Sequence, residues 1–91
     1  MSDYPTTTEL RRVARWSHKD IRGLLEFVRA LWSYPDRFVL TRRSLYLSTG
    51  GWSGNESVID SLQRNVMFWS LCWKRSQRGG HYWFDLTRVL K

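Results

Sequence analysis

The chain has 91 residues, a single cysteine, and a net charge of +7 from fifteen Lys and Arg against eight Asp and Glu. A chain of that length buries roughly 60–68% of its unfolded surface, enough for one core and one domain; 42% hydrophobic and 25% charged residues exclude a disordered polymer. A lone Cys72 excludes an intramolecular disulfide and a multi-cysteine zinc site. Met1–Thr8 is polar, and the longest apolar stretch, Val66–Trp73, is short and broken by Ser70. That reads as a cytoplasmic protein with no membrane partner.

Residues 1–5 read as a loose end, and residues 6–34 as helical. Thr6-Thr7-Thr8-Glu9 has capping-box spacing, and Leu10, Val13 and Ala14 follow as a short helical stripe. Ser17-His18-Lys19-Asp20 repeats that spacing with Asp in the fourth place. Ile21, Leu24, Leu25, Val28, Leu31 and Trp32 then form an amphipathic face that Pro35 ends. Two separate helices or one bent helix both fit, and Ser17 favours a break.

Residues 37–49 read as a β-hairpin. Phe38–Thr41 and Leu45–Ser48 are β-prone, with Arg42-Arg43-Ser44 as the turn. Alternation puts Phe38 with Leu40, and Leu45 with Leu47, on one face each. Thr49-Gly50-Gly51 breaks the pattern. A long helix is predicted over 54–78, on the order of 35 Å. It starts at Ser53–Glu56 in capping-box spacing, with Asn55 as a competing cap. Its stripe runs through Val58 or Ile59, Leu62, Val66, Trp69 and Trp73, and Gly79-Gly80 stops it. Residues 81–87 alternate as a last strand, with His81, Trp83 and Asp85 on one face, before a short basic tail.

The fold class expected is α+β in the order α-α-β-β-α-β. A small three-stranded sheet would pack against the long helix and an N-terminal helical pair. If Leu45–Thr49 and His81–Thr87 share a sheet, the helix between them makes a parallel, right-handed crossover. The two glycine-rich segments would then lie at opposite ends of that helix. Arg42, Arg43, Lys74, Arg75 and Arg78 would gather at one pole. Trp52 and Asn55 would lie at the other, near Tyr34 and Arg37.

Gly50–Glu56 has the strand–glycine–helix context of an anion site, but no Lys follows and Glu56 repels phosphate. It reads better as a helix start that presents Trp52. His18 and His81 have no neighbours at metal-ligand spacing, and no cofactor is implied. Ser53, His81 and Asp60 or Asp85 are triad residue types without evidence of geometry. Six Trp residues suit either a ring-rich core or an exposed binding surface. The basic pole with His81, close in sequence to Trp73, Tyr82 and Trp83, is the pattern of a nucleic-acid surface. A favourably charged helix C-terminus accounts for three of those cations as well.

The span from about Leu45 to Leu86 carries a distinctive combination. It comprises Thr49-Gly50-Gly51-Trp52-Ser53-Gly54-Asn55-Glu56, Ile59, Leu62, Asn65, Met67-Phe68-Trp69, Leu71-Cys72-Trp73, Ser76, Arg78-Gly79-Gly80-His81-Tyr82 and Phe84. In this it resembles a group of small proteins of tailed phages and prophages; residues 1–44 add nothing to the match. The resemblance implies a phage origin, a bacterial host cytoplasm, and by analogy a non-enzymatic protein that binds a host or defence protein complex. Candidate partner-binding residues are Trp52, Asn55, Tyr34 and Arg37. The alternative is direct nucleic-acid binding through Arg42, Arg43, Lys74, Arg75, Arg78 and His81. A homo-oligomer that buries an aromatic patch is compatible with either.

Overall fold

The computed structural model describes residues 4–90. Its elements are α1 (Thr7–Arg15), α2 (Ile21–Leu31), a short 3-10 turn (Pro35–Arg37), β1 (Phe38–Leu40), β2 (Ser44–Ser48), α3 (Ser53–Arg64), α4 (Val66–Cys72), β3 (Trp73–Gln77) and β4 (His81–Asp85). The class is α+β, with one four-stranded antiparallel sheet in the order β1-β2-β4-β3.

The first two helices form as the capping signals require. Thr6 Oγ1 accepts from the Glu9 N–H, and Glu9 Oε1 accepts from the Thr6 N–H. Asp20 caps α2 by accepting from the Gly23 N–H, so the break falls between Trp16 and Asp20. Of the loose end expected over residues 1–5, residues 1–3 lie outside the described chain, as does Lys91 of the basic tail. Pro5 is buried, and the Tyr4 ring meets Trp52 edge-on at 5.7 Å.

The long helix is not continuous. Asn65 ends α3 and starts α4: its Oδ1 accepts from the Phe68 N–H, and its Nδ2 donates to the carbonyls of Val13 and Trp16 at the end of α1. The polypeptide then leaves the helix at Trp73, and residues 73–77 form a fourth strand. Arg78-Gly79-Gly80 is therefore a hairpin loop and not a helix stop, with Gly79 and Gly80 at φ +95° and +82°. A side chain at 80 would also collide with the Thr49 hydroxyl. At the start of α3, Trp52 occupies the cap position without a side-chain hydrogen bond, so the Ser53–Glu56 capping box does not form.

The β3 hairpin changes the topology. β2 pairs with β4 antiparallel, with Ser48 opposite His81 and Ser44 opposite Asp85, so the expected parallel crossover is absent. The two glycine-rich segments meet at one end of the sheet, where the Thr49 N–H donates to the Gly80 carbonyl at 3.0 Å.

One face of the sheet carries Phe38, Leu45, Leu47, Tyr82 and Phe84, and the helices cover it. Phe68 and Trp69 of α4 contact Phe84 at ring separations of 5.3 and 5.5 Å. Val58, Ile59 and Leu62 of α3 and Leu24, Leu25 and Val28 of α2 complete the core. Each fully buried aliphatic or aromatic side chain there contributes roughly 1.5–3 kcal/mol of transfer energy.

Cys72 lies in this core. Burial, with a smaller contribution from Asp85, pushes its thiol from 9.0 up to about 11. The neutral thiol is the form favoured by folding. The associated stability is full below the unfolded value and is lost as pH rises from 9.0 towards 11. At mildly alkaline pH the native protein should resist a thiol-specific disulfide reagent and react fully once denatured. Equal labelling rates in both states would contradict that placement.

Candidate nucleic-acid interface

Strand alternation sends Val39, Tyr46, Trp83 and Arg75 to the sheet face opposite the helices, in register across all four strands. Ser48, His81 and Gln77 form the next row. Val39 is 44% exposed, Arg75 and Gln77 are exposed, and Tyr46, His81 and Trp83 are half-buried against one another.

These side chains form one ordered array. The Arg75 guanidinium sits 4.2 Å from the centre of the Trp83 ring, and its Nη2 donates to Gln77 Oε1 at 2.9 Å. Trp83 tilts against Tyr46 at 5.1 Å. Tyr46 is nearly parallel to His81, with centroids 6.0 Å apart and its hydroxyl 2.7 Å from His81 Nδ1. Arg37 enters from the 3-10 turn, and its Nη1 donates to Ser48 Oγ at 3.1 Å. The sheet thus presents two arginines around three rings, with the ring orientations fixed by hydrogen bonds and stacking.

The expected five-cation pole is divided. Arg42 and Arg43 lie in the β1–β2 turn, where the Leu86 N–H donates to the Arg43 carbonyl, and Lys74 is the second residue of β3 at that same end. Asp85 is there too. Hydrogen bonds from the Thr87 side chain and then its backbone N–H hold the Asp85 carboxyl below the usual range, with Lys74 and Arg88 adding to it. Arg75 lies mid-sheet, and Arg78 is in the hairpin loop at the opposite end. Of the three charges expected at a helix terminus, Lys74 and Arg75 belong to an edge strand, where Lys and Arg oppose strand-to-strand aggregation, and Arg78 to the loop that follows it.

The four partner-binding candidates also separate. Asn55 is fully buried: its Oδ1 accepts from the Ser33 N–H, and its Nδ2 donates to the carbonyls of Ser33 and Thr49. It is therefore unavailable to a partner. Trp52 is half-buried, with its ring packed so tightly on Gly54 that no side chain fits there. Tyr34 is exposed, in the left-handed region at φ +66°, with its ring against Gly50. Trp52 and Tyr34 line a cleft of about 820 Å³ together with Tyr4, Glu9 and Trp32. Arg37, at 6.0 Å from the Tyr34 ring, connects this cleft to the open sheet face.

The triad residue types find other partners: His81 with Tyr46, Asp60 with Arg64 and Asp85 with Thr87. Among the described residues no group of three or more His, Cys, Asp or Glu could hold a metal ion, and no helix is long and apolar enough to cross a membrane. Sequence reasoning passed over Tyr46 and Val39. Their signal was present, since Leu45 and Leu47 facing the core force Tyr46 outward. Compared with known proteins, the chain matches no family model, no curated protein and no solved structure.

Proposed function

We propose that this is a non-enzymatic binding protein that takes single-stranded nucleic acid on its open sheet face. The observation that supports the reading is the Arg75–Trp83–Tyr46–His81 array. Rings on a sheet surface stack with unpaired bases, and flanking guanidinium groups neutralise phosphate. The net charge of +7 adds a long-range attraction. The phage origin suggested by the Thr49–Glu56 and Arg78–Tyr82 motifs stays part of the reading, and the bacterial cytoplasm would then be the site of action.

The test is fluorescence anisotropy with labelled single-stranded and duplex oligonucleotides over a salt series. Single strands should bind more tightly than duplex, and affinity should fall as salt rises, with a log–log slope of roughly −0.7 for each phosphate contacted. Arg75→Ala should weaken binding more than the paired Arg42→Ala and Arg43→Ala changes, because the latter lie away from the rings. No binding to single strands at low salt would end this reading.

A second reading is favoured by a separate observation. Val66, Met67 and Trp73 are 69%, 47% and 45% exposed, the first two at the start of α4 and the third where it passes into β3. Exposed apolar side chains of that size suit a protein partner, here a host or defence complex. Capture from host lysate that survives nuclease and is lost in Met67→Glu would favour it.

A further inference from the structure

We infer that the bound strand does not stop at the sheet edge but turns over Arg37 and Tyr34 and ends with a base in the Trp52–Tyr34 cleft. The inference rests on the single-strand reading. Its support is a connected series of contacts. Arg75 lies on Trp83, Trp83 on Tyr46, and Tyr46 on His81. Ser48, opposite His81 in the register, accepts from Arg37. The Arg37 guanidinium lies 6.0 Å from the Tyr34 ring, which forms one wall of the cleft, with Trp52 and Tyr4 in other walls.

The chemistry along this path changes in a useful order. Over the sheet Arg75 and Arg37 flank three consecutive rings, which suits a backbone with unstacked bases. Inside the cleft the charged group is Glu9, whose Oε1 already accepts from the Thr6 N–H. A carboxylate there disfavours phosphate and accepts from base N–H groups, so the cleft takes a base while Arg37 holds the phosphate outside. Trp32, Trp52 and Tyr34 add ring surface to the cleft wall, which suits a flat base. Tyr34 itself lies at φ +66°, with its ring against Gly50 at the corner where the path turns.

The test compares a thymidine trinucleotide with a thymidine octanucleotide, each end-labelled, on the wild-type protein, Tyr34→Gly, Arg37→Ala and Trp83→Ala. Glycine adopts φ +66° readily, so Tyr34→Gly removes the ring without a folding penalty. Wild type should bind the octanucleotide at least about ten-fold more tightly than the trinucleotide. Tyr34→Gly should lose most of that advantage, about ten-fold, while keeping trinucleotide affinity, and Arg37→Ala should lose the same advantage and also weaken the trinucleotide, since it flanks the rings of the sheet face. Trp83→Ala should weaken both lengths. If Tyr34→Gly binds the octanucleotide as wild type does while Trp83→Ala is weakened, the extended path is wrong and the sheet-face reading stands. If wild type binds neither length, both are wrong.

Discussion

Replacing Asn55 by alanine is expected to lower the unfolding free energy by about 3 kcal/mol. Its amide makes three hydrogen bonds from a fully buried position, and these tie the first turn of α3 to the end of α2 and the end of β2. Alanine leaves the Ser33 N–H and carbonyl without those partners and opens a small cavity. The Thr49 carbonyl keeps one donor, the Trp52 N–H at 3.1 Å, which limits the loss. A domain of this size has a total stability of roughly 5–14 kcal/mol, so the change is a large share. Asn55→Asp separates the contributions, because a carboxylate still accepts from Ser33 but cannot donate to either carbonyl. Ser53→Ala is the control: Ser53 lies inside α3 and makes no cap, so its loss should stay within about 0.5 kcal/mol. Urea unfolding of the three variants checks this. A loss below 1 kcal/mol for Asn55→Ala would show that the clamp carries little of the fold's stability.

Trp83→Ala is expected to weaken single-strand binding by roughly ten- to a hundred-fold with little change in melting temperature. The ring stands on the face away from the helices, so its removal opens no cavity in the core. It does remove the surface on which Arg75 lies and against which Tyr46 packs. Trp83→Phe should recover part of the affinity by keeping a stacking face. Arg75→Lys should not restore what Arg75→Ala loses, since an ammonium lacks the planar face that lies over the indole. Anisotropy titrations with one single-stranded probe rank the four proteins. Wild-type affinity in Trp83→Ala would remove the array from the binding site.

Much of the helical half was legible because its signals are local. Thr6 with Glu9, Asp20 before Ile21, and Pro35 after Trp32 each act within one turn of chain. The β1–β2 hairpin was legible from alternation. The segment after Asn65 was not, because two patterns coincide there. Trp69 and Trp73 keep helical spacing, and Lys74, Arg75 and Arg78 suit a helix C-terminus. In the folded protein Trp73–Gln77 is a strand because β4 pairs with it across Gly79 and Gly80, a tertiary demand that overrides local preference. That one reassignment reverses the direction of β4 relative to β2, brings the two glycine segments together and divides the basic pole. The candidate site was partly legible: His81 and Trp83 were placed on one face, but the arrival of Arg75 from β3 and Arg37 from the 3-10 turn depends on the pairing of distant strands.

The strand order also bears on how the chain can fold as it is made. β4 is the last strand to emerge during synthesis, yet it lies inside the sheet between β2 and β3. Until residues 81–85 have left the ribosome, β2 has only the three-residue β1 beside it, and β3 has no neighbour in the sheet. Phe68 must also wait, since Phe84 is the sheet ring it packs against. The helices can nucleate early and pack on one another, but the apolar surface they turn to the sheet stays uncovered until β4 arrives. Closure of the sheet is therefore a cooperative event that waits for β4 and is governed by contacts between distant residues.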